Sequence, residues 1–190
     1  GHRMRSSGLE SSVNKADVLA EKWRKGEEIT VNDVEKLKHC LSTEPLTWVI
    51  EFIQLEGARG LCQHFTAQVK NKSSDSSREI VSSILQCLKP LLSTKEGRKA
   101  AFSSETLVDS IFLSLEVVSD RTISTTFRML ASIISLGPEE YNEIFRHAES
   151  HFRGWLERLI QFSVSSIVKE SIIMFVNAVV KGEDSISLRR

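Results

Sequence analysis

Apolar positions along this chain recur in helical order, and one arrangement of them occurs three times. The copies are Ile84-Leu85-Gln86-Cys87-Leu88-Lys89-Pro90-Leu91-Leu92-Ser93, Phe127-Arg128-Met129-Leu130-Ala131-Ser132-Ile133-Ile134-Ser135-Leu136-Gly137, and Ile172-Ile173-Met174-Phe175-Val176-Asn177-Ala178-Val179-Val180-Lys181-Gly182. Each is an apolar run of helix length that stops at a small residue or a glycine. No stretch alternates apolar and polar residues as a strand does, so the pattern predicts an all-α fold.

The same pattern predicts the individual elements. Lys15 to Lys25 forms a helix with Val18, Leu19 and Trp23 on one face, ended by Gly26. Thr30 caps Val31 to Leu41, with Asp33 completing a capping box. Val34, Leu37, Lys38 and Leu41 follow helical spacing, Lys38 laying its stem on the seam. Ser42-Thr43-Glu44-Pro45 breaks the chain, and Pro45 opens Leu46 to Leu55 from the first helical position. Trp48, Val49, Phe52 and Ile53 form the apolar side of that helix, and Gly57 closes it. Ala58 to Val69 carries Leu61, Cys62, Phe65 and Val69 on one face. Asn71 to Ser77 is a mobile polar loop. Helices follow at Arg78–Leu92 (kinked by Pro90), Lys95–Phe102, Glu105–Val117, Asp120–Leu136, Pro138–Phe162 and Ser166–Lys181. Gly137-Pro138 is a stop and an immediate restart.

The closing residues Ser93, Gly137 and Gly182 stand about 45 residues apart, the period of armadillo and HEAT solenoids. The expected architecture is therefore a right-handed, armadillo-repeat-like α-solenoid. Its most apolar helices would be sandwiched between neighbours and would line the concave face. That face would then be built from the few polar residues these helices carry.

Composition narrows the function. Among 190 residues, 25 Lys+Arg balance 25 Asp+Glu, which removes the cationic excess that nucleic-acid binding needs. No apolar run is long enough to insert in a membrane, and no secretory leader is present. Residues 1–12 read as disordered, with Gly1-His2-Arg3-Met4 as a cloning scar before a start methionine. Cys40, Cys62 and Cys87 read as reduced, buried thiols of a cytosolic protein.

Catalytic and cofactor chemistry finds little support. There is no Gly-rich phosphate loop, nucleophile elbow or zinc-protease motif. His147 and His151 stand one helical turn apart and could grip a metal, but no third ligand lies nearby in sequence. Cys62-Gln63-His64 supplies two ligand types with no partner at zinc spacing. The serines have no base near them in sequence. A binding module with no cofactor is the expectation, and an enzyme has no residues to name.

At Leu37-Lys38-His39-Cys40-Leu41-Ser42-Thr43-Glu44-Pro45-Leu46-Thr47-Trp48-Val49-Ile50-Glu51-Phe52 the sequence resembles the GTPase-binding region of the diaphanous-related formins. That region has a helix of form L-[RK]-x-x-L, a polar turn, then P-x-x-[WF]-[VI]-x-x-F. Cys87-Leu88-Lys89-Pro90-Leu91-Leu92-Ser93-Thr94-Lys95-Glu96-Gly97-Arg98 and Phe175-Val176-Asn177-Ala178-Val179 resemble two later stretches of the same family, in the same order.

The resemblance implies an N-terminal helical GTPase-binding subdomain at 13–56, followed by armadillo repeats at 57–190 without the family's dimerisation segment. Such a module binds a GTP-loaded Rho-family GTPase and the formin's own C-terminal autoregulatory helix, and so controls actin assembly by domains outside this chain. It implies a cytoplasmic, cytoskeleton-associated protein recruited to membranes by the GTPase. GTPase contact falls to His39, Ser42, Thr43 and Glu44; the family's turn is often Asn-rich where this one is Ser-Thr-Glu. Autoregulatory-helix contact falls to Lys89, Ser93, Arg128, Ser132 and Ser135. Two plainer readings stay open: Ser42 to Glu44 as caps for the Pro45 helix, and the serines as small residues that let helices pack closely. A second function also stays open, an armadillo scaffold that grips a peptide with no GTPase contact.

Overall fold

The computed structural model describes residues 14–71 and 74–188, so the reading of residues 1–12 lies outside the described residues. Ten helices occur among them and no strand: α1 (Ala16–Lys25), α2 (Val31–Thr43), α3 (Leu46–Gln54), α4 (Gly57–Lys70), α5 (Asp75–Leu92), α6 (Lys95–Phe102), α7 (Leu107–Ser114), α8 (Asp120–Ile134), α9 (Pro138–Ile160) and α10 (Ser166–Ser187). The all-α expectation holds, and the helices are of the armadillo-like kind. They form two compact units that divide between Ser104 and Glu105.

In the first unit, helix ends follow the local chemistry. Gly26 takes φ 65° and returns its N–H to the Lys22 carbonyl, which ends α1. The buried face of α1 is Ala16, Leu19, Ala20 and Trp23; Val18 lies a step round the helix and is 45% exposed, so it does not join the face expected of it. Thr30 and Asp33 form the reciprocal capping box at the start of α2. Lys22 adds a 2.7 Å ion pair to Asp33. Burial opposes the charge on Asp33, but the Lys22 ammonium and the Thr30 N–H and O–H outweigh it and hold its pKa below the usual carboxylate value.

Three boundaries differ from the sequence reading. Pro45 is the cap of α3 rather than its first residue, with ψ 156°. Glu56, at φ 68°, makes the left-handed turn after α3, and Gly57 opens α4 instead of closing α3. The glycine is there because a Cβ at Gly57 would enter the Phe52 ring. Asp75 to Ser77 are helical rather than loop, because Ser74 accepts from the Ser77 N–H and caps α5 there.

Packing in this unit joins α1 to α4 and α2 to α5. Gly60 of α4 lies against the Trp23 carbonyl of α1, where a Cβ has no room. Across α2 and α5, Ser83 Oγ donates to Glu35 Oε1 at 2.9 Å and Lys38 Nζ to Gln86 Oε1 at 2.9 Å. Lys38 therefore does lie along the seam. Trp23, Leu37, Phe52, Leu61, Phe65, Ile84, Leu88 and Leu91 fill the core. Pro90 sits in the last turn of α5. Arg98 of α6 donates to the Leu92 and Ser93 carbonyls, which closes the end of α5.

The second unit is built on aromatic rings. Phe175 lies 4.9 Å from Phe152 and 5.7 Å from Phe127, whose ring meets Trp155 at 5.4 Å. These rings join α8, α9 and α10. The second and third copies of the repeated run are α8 and α10, and they pack on one another. Only α8 is enclosed as expected; Ile173, Met174 and Val180 of α10 are 42–51% exposed. α7 is shorter than the Glu105–Val117 expectation, and α10 runs on past Gly182 to Ser187. Gly182 does not stop the helix because its role is packing: a Cβ there would strike the Tyr141 ring. Pro138 starts α9 at its first position, as expected.

Candidate functional site

The four residues assigned to GTPase contact come together at one corner of the first unit. His39, Ser42 and Thr43 are exposed on the last turns of α2, and Glu44 is its half-buried C-cap. Ser42 Oγ donates to the Lys38 carbonyl and Thr43 Oγ1 to the His39 carbonyl, both at 2.8 Å. The plainer reading of these residues as caps for α3 is thus not realised, since no side chain caps α3. Their hydroxyls serve the helix they end. Pro45, Leu46 and Thr47 continue the exposed corner, and Leu46 is 59% exposed.

Behind the corner, α3 is fixed by aromatic packing. Trp48 stacks on Phe52 at 5.6 Å, and its indole N–H donates to the Asn14 carbonyl at 2.9 Å. The motif residues Trp48 and Phe52 thus hold α3 in place, while Pro45 to Thr47 face outward.

Lys89 and Ser93 are exposed at the end of α5, in the first unit. Ser93 Oγ donates to the Pro90 carbonyl. Arg128, Ser132 and Ser135 belong to the second unit and form one exposed stripe on α8, spaced by four and three residues. Ser132 and Ser135 return their hydroxyl hydrogens to the Arg128 and Ala131 carbonyls. They lie open on the surface, which sets aside the reading that they merely let helices pack. Arg128 reaches over to α10, 3.8 Å from Glu170 and 4.0 Å from the Met174 sulfur. Below Ser135 a cavity of about 310 Å³ opens between Leu136, Pro138, Tyr141, Ala178 and Lys181.

The histidine pair has a partner that sequence reading missed. His151 Nε2 lies 2.8 Å and His147 Nδ1 3.4 Å from the two oxygens of Asp109, which comes from α7, about forty residues earlier. No trio of His, Cys, Asp and Glu among the described residues is placed to hold a metal. The three cysteines are free and buried, and burial pushes the Cys62 and Cys87 thiols up to about 12. His64 leans edge-on against Trp23 at 5.8 Å, and burial lowers its pKa.

Among the described residues the chain is all-helical, and its exposed polar helix end at Ser42 and Thr43 stands beside the exposed Leu46. The family model described as Diaphanous GTPase-binding Domain matches residues 10–135, and the chain belongs to that family. It is a GTPase-binding regulatory domain of formin type. Disheveled-associated activator of morphogenesis 2 of Gallus gallus and of Homo sapiens are each 25% identical to it over 173 residues, which cover 82% of this chain and 16% of the relative. Disheveled-associated activator of morphogenesis 1 of Mus musculus is 23% identical over 198 residues, covering 95% of this chain and 18% of the relative. The chain thus spans less than a fifth of the length of these relatives.

Proposed function

We propose that this chain is a GTPase-responsive switch module. Residues 13–56 take a GTP-loaded Rho-family GTPase at the α2–α3 corner, through His39, Ser42, Thr43 and Glu44. Residues 57–190 take an amphipathic autoregulatory helix from the C-terminal part of the same formin, through Lys89 and Ser93 on α5 and Arg128, Ser132 and Ser135 on α8. The observation that carries this reading is the family match over residues 10–135, which includes the corner. The exposure of all five helix-contact residues supports it further. So does the cavity below Ser135, which has room for an apolar anchor of a docked helix.

The two ligands then act by linkage. If the GTPase-bound and helix-bound states disfavour each other, each ligand weakens the other by the same factor. A differential of a few kcal/mol moves the population from silent to active. Actin assembly is regulated indirectly, through domains outside this sequence, and the module is brought to membranes by its GTPase. Among the described residues no helix is long and apolar enough to cross a membrane itself.

A pull-down with a Rho-type GTPase loaded with a GTP analogue or with GDP tests the first half. Preferential capture by the GTP form is expected; equal capture refutes GTPase recognition and leaves the peptide scaffold as the better reading. Ser132→Asp tests the second half. It places a charge on the α8 stripe and is expected to abolish binding of the autoregulatory helix while GTPase binding persists. Unchanged helix affinity moves the groove elsewhere.

A further inference from the structure

We infer that the end of α2 is a hydrogen-bond-acceptor surface, and that the GTPase presents a cationic donor, a lysine or arginine, to Glu44. The inference rests on the reading of this corner as the GTPase contact.

A serine or threonine hydroxyl has one hydrogen and two lone pairs. At Ser42 and Thr43 the hydrogen is committed inward, to the Lys38 and His39 carbonyls. What these side chains turn outward is acceptor capacity alone. The backbone behaves alike. The Glu44 N–H is used on the Cys40 carbonyl, and Pro45 brings no N–H to the Leu41 carbonyl. Among the described residues no backbone N–H beyond α2 reaches the Leu41, Ser42 or Thr43 carbonyl. These carbonyls are the negative end of the helix dipole, and the last turn of α2 contains no basic residue to offset it. Glu44 adds a full negative charge at the same point, and no ion pair forms to it among the described residues.

Three kinds of group therefore carry the same message: the lone pairs of two hydroxyls, the unpaired carbonyls that form the dipole end, and a carboxylate. His39 is the member of the quartet able to donate, and Lys36 lies half-buried one turn upstream of it. A partner surface of carbonyls and carboxylates would leave every acceptor here unpaired on docking, which is costly. A lysine or arginine flanked by other N–H or O–H groups satisfies them, and its attraction to Glu44 also speeds encounter.

The test measures association and dissociation rates of the whole chain with Rho-type GTPases loaded with a GTP analogue, at about 50 and about 300 mM salt. Glu44→Gln should lower affinity about fivefold at low salt, mostly through the association rate, and the gap should narrow at high salt. Glu44→Lys should lose more. Restoring donors with Ser42→Asn, Thr43→Asn and Glu44→Asn together should flatten the salt dependence while a folded chain remains, as checked by helical circular dichroism. Wild-type rates and salt slope in Glu44→Lys overturn the inference and leave GTPase recognition standing. If the unaltered chain itself does not prefer the GTP form, the corner is not the GTPase contact and the inference falls with it.

Discussion

Gly60 shows how single atoms decide this structure. The Trp23 backbone occupies the space a Cβ would need there. Gly60→Ala must push α1 off α4, at a cost of about 1–3 kcal/mol. A lowered urea midpoint with an unchanged slope checks this. His64 makes a second case. Burial lowers its pKa from 6.5, so the unfolded chain takes up a proton first as pH falls. The neutral imidazole's contribution is complete above about pH 6.5 and is lost as pH drops from there toward the folded value. His64→Gln should blunt the fall in stability between about pH 7 and 5, read from thermal midpoints. Asp33 has the same dependence in the carboxylate range. Its folded pKa is depressed, so its stabilisation is present above pH 3.8 and vanishes as pH falls through the folded value. Removing the Asp33 carboxylate should cost about 1 kcal/mol at neutral pH.

At the scale of elements, helices written in local chemistry were legible and those set by contacts were not. Thr30 with Asp33, Gly26 and Gly137-Pro138 gave their boundaries because caps and left-handed turns act within a few residues. Gly57 and Gly182 were misread as stops. Each is small for the sake of a ring, Phe52 or Tyr141, that the sequence does not place beside it. Asp109 was invisible as the partner of His147 and His151 for the same reason. The α2–α3 corner was legible as a motif, but the inward turn of its hydroxyls was not. Gly154 behaves differently again. It lies exposed inside α9, and a Cβ added to it would meet nothing within 4 Å. Gly154→Ala should therefore stabilise the chain by about 0.5–1 kcal/mol, seen as a rise in melting temperature.

For the whole molecule, the balanced charge of 25 against 25 gives no net charge to steer partners, so the proposed recognition would rest on local patches such as the end of α2. Linkage makes a quantitative demand at this scale. On the proposed reading, the factor by which a bound GTPase would weaken binding of the autoregulatory helix equals the factor by which the helix would weaken GTPase binding. Titration in both orders measures it, and unequal factors exclude a simple two-ligand coupling.

The bonds between α2 and α5 bear on how such coupling could be carried inside the first unit. Lys38 bridges Glu35 and Gln86, and Ser83 holds Glu35, so the two rods are bolted at mid-length by polar side chains. One rod ends in Ser42 and Thr43, the other in Lys89 and Ser93. Tilting the first against the second would break these bonds.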